Sequence, residues 1–222
     1  MLSGFRFKRL GFTGGDKMKK CVICKTKFTP INSSLEKWCC PDHGYLYSKQ
    51  QKEKADRKEW SKKKVELREA TKKKSEYEKD LEKLVNKLCR LVDIGQKCIS
   101  CGSNDAIHAG HFASVGSMPY LRYNLFNLFP QCYQCNVKKG GNVAWYRINL
   151  TQTFGTEFIS MLDGLFQTKA LHLSIGDLKE KIIEARLLVK EFEAANMALT
   201  HPRNSEQRIE MRKYINKRLN IY

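Results

Sequence analysis

No stretch of this 222-residue chain approaches the roughly 20 consecutive apolar residues that a bilayer-spanning helix needs. The N-terminus is basic and glycine-containing, with neither an apolar central region nor a small-residue cleavage site, which argues against secretion. Residues 1–17 instead read as a disordered extension ahead of the fold. Glycine and proline are missing from residues 46–92, which excludes a loop-built middle section. Acidic residues are also in short supply. The 23 Asp and Glu face 41 Lys and Arg, for a net charge of +18. Bound zinc changes this little, because seven thiolates and two Zn²⁺ together would lower the charge by about three. Such a balance favours a polyanionic partner, of which nucleic acid is the commonest.

Cysteine is plentiful, with nine residues, but it is spaced for metal rather than for disulfides. Two Cys-x-x-Cys pairs open two separate regions, and each has further ligand types downstream. In the first region, residues 18–45, Cys21 and Cys24 are followed by Cys39, Cys40 and His43. About 28 residues are too few to bury a self-sufficient core, so a metal must hold them. Cys21, Cys24, Cys39 and His43 make a Cys₃His set for structural zinc, and Cys40 is an alternative to Cys39. Cys39 and His43 lie one helical turn apart, so both reach one ion if a helix begins near Pro41.

Residues 46–94 then read as one long charged helix. Up to about residue 75 they carry no sustained apolar stripe, so a heptad coiled coil is not indicated. Lys62 to Lys64 and Lys72 to Lys74 form charge runs suited either to a solvated face or to phosphate contact. From Tyr77 the pattern changes: Leu81, Leu84, Val85, Leu88, Leu91 and Val92 recur at helical spacing and predict packing on a following domain.

Gly95 ends that helix, and residues 95–150 form the information-rich core. Cys98 and Cys101 are separated by 30 residues from Cys132 and Cys135. Two such pairs close a four-thiolate zinc site with no open position, hence a structural one. Between them, Ala106 to Phe112 reads as a short strand carrying His108 and His111; Asn127 and Asn136 follow. Residues 151–222 read as C-terminal helices, one of them starting at the N-cap Ser174 with Asp177 three residues on.

The succession Cys-x-x-Cys-Gly, Gly-His, Asn-Leu, Cys-x-x-Cys-Asn-x-x-Lys resembles the zinc-containing HNH, or ββα-metal, nucleases. Over residues 20–195 the chain is also similar to the lambdoid phage NinG (Rap) family of recombination nucleases. The similarity is carried by Trp38-Cys39, Cys98-Ile-Ser-Cys101-Gly102, Ala109-Gly110-His111, Leu121-Arg122-Tyr123-Asn124, Cys135-Asn136, Gly141-Asn142 and Tyr146-Arg147. It implies a small zinc-stabilised α+β protein, with a ββα-metal HNH core set between the long charged helix and C-terminal helices and an N-terminal zinc knuckle. It implies a structure-specific endonuclease acting in the cytoplasm of a bacterial host on branched DNA, a Holliday junction or D-loop. A homodimer would suit symmetrical cutting.

By the same resemblance His111 is the general base, Asn127 orients the histidine-bearing loop, and Asn136 binds a catalytic Mg²⁺ or Mn²⁺. His108 stands where that family carries Asp. His108 and His111 are three apart and so fall on opposite faces of a regular strand; only a bulge at Gly110 would bring both to one ion. An imidazole ligand would also favour Mn²⁺ over Mg²⁺. Arg122, Lys138, Lys139 and Arg147 are candidate DNA contacts. The competing reading is a zinc-dependent nucleic-acid-binding protein without catalysis, in which His111 packs and Asn136 caps a helix.

Overall fold

The computed structural model describes residues 18–31, 33–166 and 172–221; the expected extension over 1–17 lies outside them. The chain divides into two compact units, the first ending at Thr71 and the second beginning at Lys72.

The described residues of the first unit form a two-strand knuckle and a helix. β1 (Lys19–Lys20) pairs antiparallel with β2 (Lys27–Phe28), and Lys25 takes a left-handed conformation in the turn between them, at φ 64°. Helix α1 (Pro41–Thr71) has proline at its first position, where its lacking N–H is no loss. No residue of α1 is buried, as its apolar-poor sequence leads one to expect. Gly44 sits in its first turn because a Cβ there would lie 2.9 Å from the Trp38 indole. Trp38 in turn lies against Tyr47, with ring centroids 5.7 Å apart.

One uninterrupted helix over 46–94 is not what forms. α1 stops at Thr71, and α2 (Lys74–Val92) starts afresh after Lys73, whose backbone is extended at ψ 157°. Glu76 caps the new start by accepting the Lys73 N–H at 3.0 Å. Lys72, the first residue of the second unit, places its ammonium 2.8 Å from Asp80 and 4.1 Å from the centre of the Tyr77 ring.

In the second unit α2 buries Tyr77, Leu81, Val85, Leu88, Cys89 and Val92. It packs these on Leu178, Ile182, Ala185, Leu188, Val189 and Phe192 of α5 (Ile175–Met197). The Ser174–Asp177 capping box forms at the start of α5. A second cluster of apolar side chains lies around β4 (Leu128–Gln131), α3 (Val143–Phe154) and α4 (Thr156–Leu165), with Phe129, Tyr146, Leu150, Phe158 and Leu162 at its centre. β3 (His108–His111) pairs antiparallel with β4, residue for residue: His108 opposite Gln131, Ala109 opposite Pro130, Gly110 opposite Phe129, His111 opposite Leu128. The final helix, α6 (Ser205–Arg218), opens with Asn204 and Gln207 in a capping box.

Candidate functional site

Two groups of side chains bring four ligand atoms within 4.8 Å of one another: Cys21, Cys24, Cys39 and His43, and Cys98, Cys101, Cys132 and Cys135. A zinc tetrahedron with Zn–S bonds of about 2.3 Å has S···S edges of about 3.8 Å. The Cys24–Cys39 and Cys101–Cys132 sulfur pairs lie 3.6 and 3.7 Å apart. His43 Nδ1 lies 3.1 Å from Cys39 and 3.7 Å from Cys21. Both donor sets therefore suit zinc. Between Cys39 and Cys40, the cluster takes Cys39. Cys39, one helical turn before His43, brings its sulfur to the imidazole, while the Cys40 carbonyl accepts the Gly44 N–H in the first turn of α1.

The second cluster is built by its own backbone. Gly102 closes the first pair in a left-handed conformation, φ 73°, and donates its N–H to the Cys98 carbonyl at 2.8 Å. The Asn142 carboxamide donates to Cys135 Sγ at 3.5 Å. Ile99 N–H joins this pair to β4 through the Pro130 carbonyl, at 2.9 Å.

His111 ends β3, half-buried, with Nε2 3.0 Å from the Arg122 carbonyl. A carbonyl only accepts, so this bond fixes the tautomer with the proton on Nε2 and leaves Nδ1 as the basic nitrogen. Burial holds the imidazole below its ordinary value of 6.5, and the carbonyl bond partly offsets the fall. Asn127, fully buried, ties down the chain that leaves β3. It accepts the Ala113 N–H at 2.8 Å and donates to the Ala113 and Leu121 carbonyls at 3.0 and 3.3 Å. Asn136 lies in the short helical turn Gln134–Lys138 immediately after the second cysteine pair, half-buried. Gly110 is forced by a close approach: a Cβ there would sit 1.9 Å from the Gln131 carboxamide oxygen.

Other expected site residues are placed differently. The one-to-one register leaves no bulge at Gly110, so His108 projects to the face opposite His111 and lies by Tyr133, ring centroids 5.9 Å apart. Arg122 is held by Glu82, through Nη2 at 2.6 Å and Nε at 3.2 Å, with Glu78 at 3.9 Å. Arg147 pairs with Asp163 through both terminal nitrogens. Arg122 staples its turn to α2 and is not free for phosphate, whereas the Arg147–Asp163 pair is exposed on both sides and can be exchanged for a phosphate. Lys138 and Lys139 are exposed, Lys138 beside the Tyr133 ring.

Residues 15–195 match the family described as bacteriophage lambda NinG protein. The chain belongs to the NinG family. Protein ninG of Escherichia phage 933W is 32% identical over 161 residues, spanning 65% of this chain and 80% of that protein. Protein ninG of Enterobacteria phage H19B is 31% identical over 165 residues, with the same shares. Protein ninG of Escherichia phage lambda is 34% identical over 87 residues, 38% of this chain and 43% of its own. No solved structure matches at a significant level. The NinG match ends at residue 195, before α6 begins.

Proposed function

We propose that this NinG protein is a metal-dependent endodeoxyribonuclease with an HNH-type core, acting on branched DNA. The observation that supports it most is the pairing of His111 and Asn127. One imidazole has its tautomer set by a main-chain carbonyl, and a buried carboxamide grips the loop that follows. A packed imidazole would also need an acceptor for its N–H, so it is the conjunction with the Asn127 grip on the following loop that favours a site. The order β3, loop, β4 and short helical turn agrees with a ββα-metal arrangement, with Asn136 in that turn.

In the proposed reaction, His111 Nδ1 takes a proton from water as the water oxygen bonds to phosphorus. The P–O3′ bond breaks, leaving a 5′-phosphate and a 3′-hydroxyl once the leaving oxygen is protonated. Asn136 is the candidate ligand of a divalent ion, Mg²⁺ or Mn²⁺, which when bound would neutralise charge on the scissile phosphate. Lys138 and Lys139, exposed at the end of this turn, serve as phosphate contacts.

The non-catalytic reading draws on one observation, the placement of His108 on the strand face opposite His111, so that the two imidazoles of β3 do not converge on one ion. Cleavage of a four-way junction, a D-loop and a linear duplex, with Mg²⁺ or Mn²⁺, separates the two. Divalent-dependent cleavage of the branched substrates that is lost in His111→Ala, with DNA affinity kept within a few-fold, is the expected result. Wild-type cutting by His111→Ala would remove His111 as the base, and binding without cleavage under every ion would leave the non-catalytic reading.

A further inference from the structure

The segment Asn124–Leu128 carries Asn127, and it is held from outside by α6. Asn216, buried, accepts the Leu125 N–H at 2.9 Å and donates to Asn124 Oδ1 at 2.8 Å. That same Oδ1 accepts the Phe126 N–H at 2.9 Å, which starts the tight turn Leu125–Asn127. Arg212, with no exposed surface, donates Nε to the Leu125 carbonyl at 3.1 Å and Nη2 to the Leu128 carbonyl at 3.2 Å. Its guanidinium lies 4.1 Å from the centre of the Phe129 ring and pairs with Asp93. Two side chains of one helix thus satisfy main-chain groups on both sides of Asn127.

A buried arginine is a costly way to anchor a turn. An apolar side chain of similar volume would fill the space with less desolvation, but it could not bond two carbonyls in fixed directions. What the arrangement secures is the direction of the turn. Asn127 reaches Ala113 from that turn, and Ala113 is two residues beyond His111. The chain of contacts therefore runs Arg212 and Asn216, turn 124–128, Asn127, loop 113, His111.

We propose that α6 is the positioning element of the candidate catalytic loop, with Arg212 and Asn216 as positioning residues that hold Asn127 in register with His111. The inference rests on the hydrolytic reading for its functional meaning. It adds to that reading an element that begins beyond the NinG-matched segment.

The test uses the full-length, zinc-loaded protein and two variants. Asn216→Ala removes both turn contacts. Arg212→Lys keeps a cation facing Asp93 but cannot bond Asp93 and two carbonyls in the same fork geometry. Cleavage is measured well below each variant's melting temperature, with amide hydrogen exchange at Phe126, Asn127 and Ala113 recorded alongside. The expected result is a kcat reduced on the order of 10–100-fold, as misplacement of a catalytic group produces. KM for DNA should stay within about two-fold, and exchange at those amides should quicken while α2 and α5 stay protected. A purely architectural α6 predicts global loss of protection, or wild-type kcat wherever the fold is intact, and either outcome overturns the proposal. If the wild type cuts no DNA, the hydrolytic reading fails by itself. The exchange pattern then still decides whether α6 governs the Asn127 turn, and unchanged exchange at these amides would refute it.

Discussion

At the residue scale, His111 offers a sharp expectation. Burial holds its imidazole below 6.5, so the neutral form prevails at physiological pH and the base is ready without a further trigger. Protonation at low pH removes it. Single-turnover cleavage should accordingly be flat above pH 7 and fall on acidification, with a midpoint under 6.5. A midpoint above that value would mean that another group limits the rate. Gly110 gives a second expectation. In Gly110→Ala the new methyl meets Gln131, whose Nε2 donates to Ser100 Oγ and the Gly141 carbonyl, both at 2.6 Å. Gln131 has no exposed surface into which to retreat. A loss of about 1–3 kcal/mol in chemical denaturation is expected, the range for overpacking a filled core, and an unchanged midpoint would contradict this contact. The metal-type residues were legible in the sequence because ligand spacing is a local code. The partners of Arg122 and Arg147 were not, since Glu82 and Asp163 lie 40 and 16 positions away and nothing local marks the pairing.

At the scale of elements, the least legible feature was the break between α1 and α2. Thr71-Lys-Lys-Lys74 contains no helix breaker, and local propensity alone would continue the helix through it. The interruption is held by short-range side-chain contacts instead: Lys72 seated on Tyr77 and Asp80, and Glu76 taking the Lys73 N–H. The C-terminal helix was legible as a helix but not as a buried one. Arg208, Arg212 and Asn216 recur at intervals of four, and a polar stripe of that kind reads as a solvated face, yet all three are buried. Their counter-charge is Asp93, just past the end of α2, bonded to Arg208 Nε at 2.7 Å. Asp93→Ala would leave two buried guanidiniums without a carboxylate. The expected cost is on the order of 3–5 kcal/mol, read as a lowered denaturation midpoint. A loss under about 1 kcal/mol would show that backbone carbonyls alone suffice for both arginines.

At the scale of the molecule, charge and metal set the behaviour. Among the described residues of the first unit no residue of α1 is buried and a two-strand hairpin stands beside it, so metal at Cys21, Cys24, Cys39 and His43 is expected to supply most of the folding energy there. The second unit also has two apolar clusters. Purified under reducing conditions, the protein should hold two Zn²⁺, and fewer would count against the ligand sets. The net charge of +18 raises the question of which lysines meet phosphate. Lys62, Lys63 and Lys64 are all exposed, and Lys63 has a solvent-screened partner, Glu59 at 2.8 Å. Such a pair contributes little and is readily exchanged for a phosphate. Lys72 is committed, its side chain 8% exposed and bound to Asp80, and Lys74 faces Glu78 at 4.0 Å. The two runs should therefore behave differently, although the sequence makes them look alike. Replacing Lys62 to Lys64 with Gln should lower the slope of log affinity against log salt by up to about three units, since each phosphate contact adds close to one. The same change at Lys72 to Lys74 should lower it by about two at most, since Lys73 and Lys74 are exposed and only Lys72 is committed, and should cost stability through loss of the Lys72–Asp80 pair. Binding titrations on one duplex at several salt concentrations measure both. Equal slopes for wild type and the Lys62–Lys64 variant would make α1 a solvated helix, and a larger effect from Lys72–Lys74 would invert the assignment.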